Sequence, residues 1–276
     1  MSPDPQLWLV ALGFGVGALG TLIGAGGGFI LVPVLLLVYP HADPSTITSI
    51  SLAVVFVNAT SGSWAYARMK RIDYRSGLIF AAATIPGAVI GAYSTDFIPR
   101  RQFNLIFGVL MIAMGIYLLT RQKADLSTPG RASNSDTTRT LVEADGTSHV
   151  YSYNLKLGTG LSVAVGYLSS LLGIGGGIIH VPALAHLLNF PVHVATATSH
   201  FILAIMALAG TLVHVLNGSF SQGGAMQTIY LSAGVLFGAQ IGARLSSRVK
   251  GGFIIRSLAV AIALVGIRIL ATSLKA

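Results

Sequence analysis

Five residues restrict the fold more than any others: Gly24-Ala25-Gly26-Gly27-Gly28, set between Thr21 and Pro33 in an otherwise apolar stretch. The device occurs twice. A shift of 149 positions lays Gly20 to Leu35 on Ser169 to Leu184, and nine of the 16 positions are identical: Leu22, Gly24, Gly26, Gly27, Gly28, Ile30, Val32, Pro33 and Leu35. Similarity at a fixed spacing implies a duplicated unit with one such break in each copy. Glycine has no Cβ, so a G-x-G-G-G run leaves the helical region cheaply and lets another group come close. Lipid cannot satisfy the N–H and C=O groups freed this way, so a break at membrane depth must be buried in protein or line a polar cavity. Each break is therefore a candidate binding site. A second role, close packing of helices across small residues, stays open.

The membrane setting follows from composition. Of 276 residues, 53% are hydrophobic and only 9% charged, against about 25% charged in soluble domains. The net charge of +9 resides in short loops between apolar spans, which fits positive-inside topology better than a nucleic-acid partner. With no cysteine, disulfides and thiolate metal sites are excluded, and no metal or cofactor is indicated. Met1 to Gln6 carries no basic n-region, so the first apolar run is expected to be a retained span rather than a cleaved signal.

Apolar stretches of about 20 residues read as spans. In the first half these are Leu7 to Ile23, a short piece Gly28 to Val38, Thr46 to Tyr66, Gly77 to Tyr93 and Phe103 to Thr120. The second half gives Leu155 to Leu172, a short piece Gly177 to Leu188, Val194 to Leu216, Met226 to Arg244 and Phe253 to Thr272. The expectation is an all-α polytopic membrane protein of two homologous repeats, 1–120 and 155–276, each with four long helices and one short helix after its break. Residues 121–154 hold Asp125, Pro129, Gly130, Asp136, Glu143 and Asp145 among many Ser and Thr, and read as a solvated, flexible linker.

The short piece decides the relation between the copies. If it continues the first span, the repeats are parallel; if it turns back, they are inverted. With the loop from Arg68 to Arg75 inside, the inverted arrangement keeps 13 of 17 basic residues inside and leaves Arg100, Arg101, Arg268 and Lys275 outside. The parallel one gives 11 against 6. Charge bias favours inversion. Gly87-Ala88 with Gly91-Ala92, and Gly238-Ala239 with Gly242-Ala243, form GAxxGA faces suited to helix packing. Self-association as a homodimer is open.

All eight acidic residues fall in loops or termini, which removes the carboxylates on which intramembrane cation sites and aspartyl catalysis depend. An intramembrane enzyme is disfavoured for that reason. Gly15-Val16-Gly17-Ala18-Leu19-Gly20 matches the dinucleotide pattern, but no βαβ unit surrounds it. The spans offer hydroxyls, glycine backbone and histidines instead, which are donors suited to an oxyanion. A helix starting after Gly28 or Gly177 aims its unpaired N–H groups at its break. The substrate-binding candidates are Gly26, Gly27, Gly28, Thr48, Ser49, Gly175, Gly176, Gly177, Thr198, Ser199 and His200. Pro33 and Pro182 are structural, and His200 or His214 could couple anion movement to protons, although a merely hydrogen-bonded interior histidine is equally open.

The two Gly-rich, Pro-terminated repeats, with the polar central segment between them, resemble the TauE/SafE sulfite exporter family over both halves. The resemblance implies a bacterial inner-membrane permease that exports sulfite, sulfoacetate or a related organosulfur anion, with Gly26 to Gly28, Pro33, Gly175 to Gly177 and Pro182 at the motif positions. It also aligns Thr48 and Ser49 with Thr198 and Ser199 as the polar start of the segment after each motif. The expected partners are then a small anion, the lipid bilayer and, with coupling, protons. Alternating access between the repeats is the expected mechanism. An anion channel, or a carrier of another small carboxylate or sulfonate, is the alternative.

Overall fold

The computed structural model describes residues 6–120, 136–220, 224–246, 259–260 and 262–271. Helices α1 (Trp8–Ile23), α2 (Gly28–Val38), α3 (Pro44–Arg68), α4 (Tyr74–Ser94) and α5 (Arg100–Thr120) make up the first half, with a 3-10 turn at Thr95–Phe97. The second half contains α6 (Leu155–Leu172), α7 (Gly177–His186), α8 (Val192–Leu216), α9 (Ala225–Leu245) and α10 (Ile262–Ala271). Each expected span overlaps one of these helices, with α3, α4, α5, α8 and α9 extending beyond it by one to three residues at an end, and residues 253–258, 261 and 272 of the last expected span lie outside the described residues. Four described helices, including α3 and α8, are long and apolar enough to cross a membrane. Large apolar side chains face outward along the bundle, Trp64, Phe97 and Phe237 among them, as a lipid-facing surface requires.

Local chemistry sets the helix ends. Gly24 and Gly173 stop α1 and α6 in the left-handed region, at φ 81° and 68°, where a side chain would be strained. Pro44 opens α3, where its missing N–H costs nothing. Asp73 and Asn154 cap α4 and α6 by accepting from the N–H groups of Ser76 and Leu157, at 3.2 and 3.0 Å.

The long helices interlock across the two halves. α1 packs along α9 and α4 along α6, while α3 and α8 cross at the centre and touch α9 and α4 respectively. The GAxxGA faces make this approach close: a Cβ on Gly87 would lie 2.1 Å from the Val163 carbonyl oxygen, and one on Gly238 would lie 2.2 Å from that of Phe14. Those partners, Val163 and Phe14, are themselves related by the shift of 149. The contacts thus come in exchanged pairs. α5 and α10 pack together at Gly108 and Gly115 and add Phe103, Phe107, Met111, Ile262 and Ile269 to the main apolar core.

The reading of 121–154 as a flexible linker needs correction. Residues 121–135 lie outside the described residues, but β1 (Asp136–Val142) and β2 (Ser148–Asn154) pair antiparallel with Arg139 opposite Tyr151. Alternate residues of β2 turn inward, so Tyr151 and Tyr153 are buried and pack at a tilt against Phe190, with ring centroids 4.6 and 5.0 Å away. Burying two aromatic rings supplies the driving force that a solvated linker lacks. The hairpin also closes over Asp73. Arg139 pairs with its carboxylate at 3.0 Å, the Tyr151 hydroxyl donates to it at 2.8 Å, and Ser76 donates as well. Burial pushes the Asp73 carboxyl up, yet these bonds from Arg139, Ser76 and Tyr151 outweigh it and hold it below the usual carboxylate range.

Candidate functional site

Both breaks fold back on the helix they follow. After Thr21 the chain turns sharply: the N–H groups of Ala25 and Gly26 donate to the Gly20 carbonyl at 2.8 and 3.2 Å. Gly26 and Gly27 then take φ of 77° and 82°, and Gly175 and Gly176 take 79° and 72°. Among the described residues, the N–H groups of Gly27, Gly28 and Phe29 have no hydrogen-bond partner, and neither do those of Gly175, Gly176 and Ile178. Such unpaired donors at a helix start suit an anion.

The two breaks touch. A Cβ on Gly28 would lie 2.6 Å from the Gly173 carbonyl oxygen, and one on Gly177 would lie 2.4 Å from that of Gly24. Gly26 and Gly175 sit against Val55 of α3, and Gly26 also meets Leu203 of α8. Gly27 packs on Val16 and Gly176 on Ser169. All six glycines therefore serve close packing, and they do so at the crossing of α3 and α8. Pro33 and Pro182 lie buried inside α2 and α7.

The hydroxyls follow a different correspondence from the one read in the sequence. α3 and α8, both 25 residues long, superpose their contacts with a shift of 148. Gly173 lies against Thr48 as Gly24 lies against Thr196. Likewise Ser51 donates to the Gly173 carbonyl at 2.6 Å, and Ser199 donates to the Gly24 carbonyl at 3.4 Å. Thr48 is thus paired with Thr196, and Ser51 with Ser199. Equal helix length was the available signal, whereas matching like polar residues led to a shift of 150. Ser49 bonds its own helix at the Thr46 carbonyl, 2.8 Å away. Thr198 turns to the start of α4 instead, where it accepts from the Asp73 N–H at 3.0 Å.

His200 joins the first break. Its Nε2 is 3.2 Å from the Thr21 hydroxyl, which also donates to Asn58 Oδ1 at 3.1 Å. The Tyr66 hydroxyl donates to the Thr21 carbonyl at 2.7 Å, and its ring meets that of His200 edge-on at 5.8 Å. All four side chains are buried. Asn58 is not among the residues expected from the sequence, yet its Nδ2 is buried without a partner, as are the hydroxyls of Ser169 and Ser170 beside the second break. Buried donors left unpaired are costly unless something else fills them. His214 is not with them: it sits 3.4 Å from Thr48, toward the other end of α3.

Two openings flank this centre. One, of about 550 Å³, is lined by Asp43 to Thr46, Thr95 to Arg100 and Asn217 to Ser219. The other, of about 360 Å³, is lined by Ala65, Arg68, Arg71, Gln240 and Arg244 together with Glu143 and Asp145 of the hairpin turn. They lie at opposite ends of α3, which at 25 residues is about 37 Å long. In the second opening Arg71 pairs with Glu143 at 2.6 Å.

Comparison with known proteins agrees with this architecture. The family profile described as sulfite exporter TauE/SafE matches residues 9–269. A probable membrane transporter protein of Bacillus subtilis, YunE, is 32% identical over 268 residues, covering 95% of this chain and 96% of that one. A probable membrane transporter protein of Methanocaldococcus jannaschii is 26% identical over 212 residues, covering 75% and 71%. One from Xylella fastidiosa strain Temecula1 is 28% identical over 247 residues, covering 89% and 87%. No solved structure gives a significant match.

Proposed function

Because the chain belongs to the TauE/SafE sulfite exporter family and is a multi-pass membrane protein, we propose that it exports sulfite or a related small organosulfur anion across the cytoplasmic membrane. The observation that carries this reading is the reciprocal contact of the two glycine breaks between α3 and α8. The unpaired N–H groups there, with Asn58, Ser169 and Ser170, supply neutral donors at mid-bundle. Neutral donors hold an oxyanion without a fixed cation, and so release it readily. The halves act as inverted repeats: the exchanged packing of α1 with α9 and α4 with α6 supports a two-fold relation, and the basic loops support its inverted form. Alternating access then opens the centre to the basic vestibule at Arg68, Arg71 and Arg244 and to the vestibule at Arg100 in turn.

Flux of sulfite, sulfoacetate, thiosulfate and sulfate into liposomes holding the purified protein tests the reading. Saturable flux with counterflow is expected for at least one of them. Flux of none would reject the substrate class, and flux without saturation or counterflow would mean a channel. Asn58→Leu removes both the unpaired amide and the acceptor of the Thr21 hydroxyl. It should cut flux about tenfold or more, the loss of one buried hydrogen-bonding group, while thermal melting changes little. A reporter fused after Ala276 should report an outside location; a cytoplasmic one would rule out the inverted topology.

A further inference from the structure

His214 is completely buried in the last turns of α8, yet a hydrogen-bonded chain connects it to water. Its Nδ1 is 3.3 Å from the Ser219 hydroxyl, which is 3.0 Å from the Ser45 hydroxyl, and Ser45 donates to the exposed carboxylate of Asp96. On the other side of the ring, Nε2 is 3.4 Å from the Thr48 hydroxyl, which donates to the Pro44 carbonyl at 2.9 Å. Thr48 itself lies against Gly173 of the second break. Asp43 and Arg100 are the other charged groups of the vestibule into which Asp96 opens.

We propose that Asp96, Ser45 and Ser219 form a proton path from this vestibule to His214, which places the resulting charge one side chain, that of Thr48, from the second break. This rests on the transport reading above. The direction of every bond agrees with it. With neutral His214 carrying its proton on Nε2, that nitrogen donates to Thr48, while Nδ1 accepts from Ser219, Ser219 from Ser45, and Ser45 from a protonated Asp96. A proton that reaches Asp96 from water then moves by relay. Asp96 gives its proton to Ser45, Ser45 gives its own to Ser219, and Ser219 gives its own to Nδ1. The result is an imidazolium and a carboxylate, with each hydroxyl still holding one proton. All the bonds survive with reversed direction: Nδ1 donates to Ser219, Ser219 to Ser45, and Ser45 to the Asp96 carboxylate. Nε2 still donates to Thr48, and Thr48 to the Pro44 carbonyl. A buried imidazolium is tolerable because the carboxylate it leaves behind is only two hydroxyls away. The counterpart of His214 under the shift of 148 is Tyr66, so the path is not repeated at the corresponding position of the other half.

The test uses proteoliposomes loaded with a pH-sensitive dye, and follows radiolabelled sulfite and protons together as the external pH is varied. Wild type should move protons with sulfite. Asp96→Asn, Ser45→Ala and His214→Gln should each reduce the proton flux at least tenfold and flatten the pH profile of sulfite flux, and Ser45→Thr, which keeps the hydroxyl, should restore both. Ser45→Ala removes one exposed-end hydroxyl and serves as the variant least disturbing to folding, checked by its elution as wild type on size exclusion. Sulfite flux without proton flux in wild type would overturn the path and leave the transport reading standing. So would proton flux that survives in Ser45→Ala and Asp96→Asn. No flux of any sulfur anion by wild type would overturn both.

Discussion

Gly28→Ala should reduce sulfur-anion flux to less than about a tenth, with the protein still folded. A single methyl there would sit 2.6 Å from the Gly173 carbonyl oxygen and 2.7 Å from the carbonyl carbon of Ile174, so it meets backbone on the opposite break rather than a side chain that could rotate away. Overpacking of this kind costs about 1–3 kcal/mol, and each 1.4 kcal/mol is about tenfold in rate. Gly28 is not at positive φ, so the effect is a wedge between the breaks and not backbone strain. Gly177→Ala, 2.4 Å from the Gly24 carbonyl oxygen, should behave alike because the contact is reciprocal. Gly27→Val adds the cost of a β-branched residue at φ 82° to a clash with Val16, about 1–2 kcal/mol for the backbone alone, and should abolish flux. Gly15→Ala is the control, since nothing lies within 4 Å of its added methyl. Radiolabelled sulfite uptake and a thermal melt on the same preparations decide it. Wild-type flux in Gly28→Ala and Gly177→Ala would remove the breaks from the transport path.

The glycine breaks were legible because identity at a fixed shift survives in positions where no other residue fits, and the helices because long apolar stretches leave few alternatives. What escaped the sequence was set by contacts between distant segments. The register of α3 against α8 is one case: Thr48 and Ser49 look like Thr198 and Ser199 locally, but the glycines they touch place Thr196 and Ser199 opposite Thr48 and Ser51. Asn58 is another, since a lone amide in an apolar span carries no pattern until Thr21 is brought to it across 37 residues. The hairpin left a faint trace. Tyr151 and Tyr153 alternate with polar residues, and Asp145-Gly146 is a turn pair, yet the surrounding Ser and Thr made the segment read as solvated. Only Phe190 and Asp73, supplied by other elements, turn that alternation into a buried face.

Asp73→Ala should cost about 3 kcal/mol of stability, the lower end for a broken buried pair, because Arg139 keeps 25% of its side chain in water while Asp73 keeps 1%. The change strands Arg139 and the Tyr151 hydroxyl and leaves the Ser76 hydroxyl with the Tyr153 hydroxyl alone, so the hairpin loses its most buried polar anchor and keeps the Arg71–Glu143 pair at its turn and the contact of its tyrosines with Phe190 and Phe80. The pH dependence has a definite sign. The Asp73 carboxyl is held below its ordinary value of 3.8 in the fold, so its contribution is complete above about pH 4 and is lost as pH falls through the depressed folded value. Tyr151 supplies the opposite limb. Burial first, and the Asp73 charge second, raise its hydroxyl above the ordinary 10.0, so the stability it contributes is present below that pH and is lost as pH rises through the raised folded value. Wild type should therefore melt at progressively lower temperature on going from pH 5 to pH 2, and Asp73→Asn should lack that slope while retaining part of the neutral-pH stability through the bond from Tyr151. Thermal unfolding followed by tyrosine fluorescence measures both. An Asp73→Ala protein that melts with wild type at pH 7 would mean that the aromatic contacts and the Arg71–Glu143 pair seat the hairpin and that the Asp73–Arg139 pair is incidental to it.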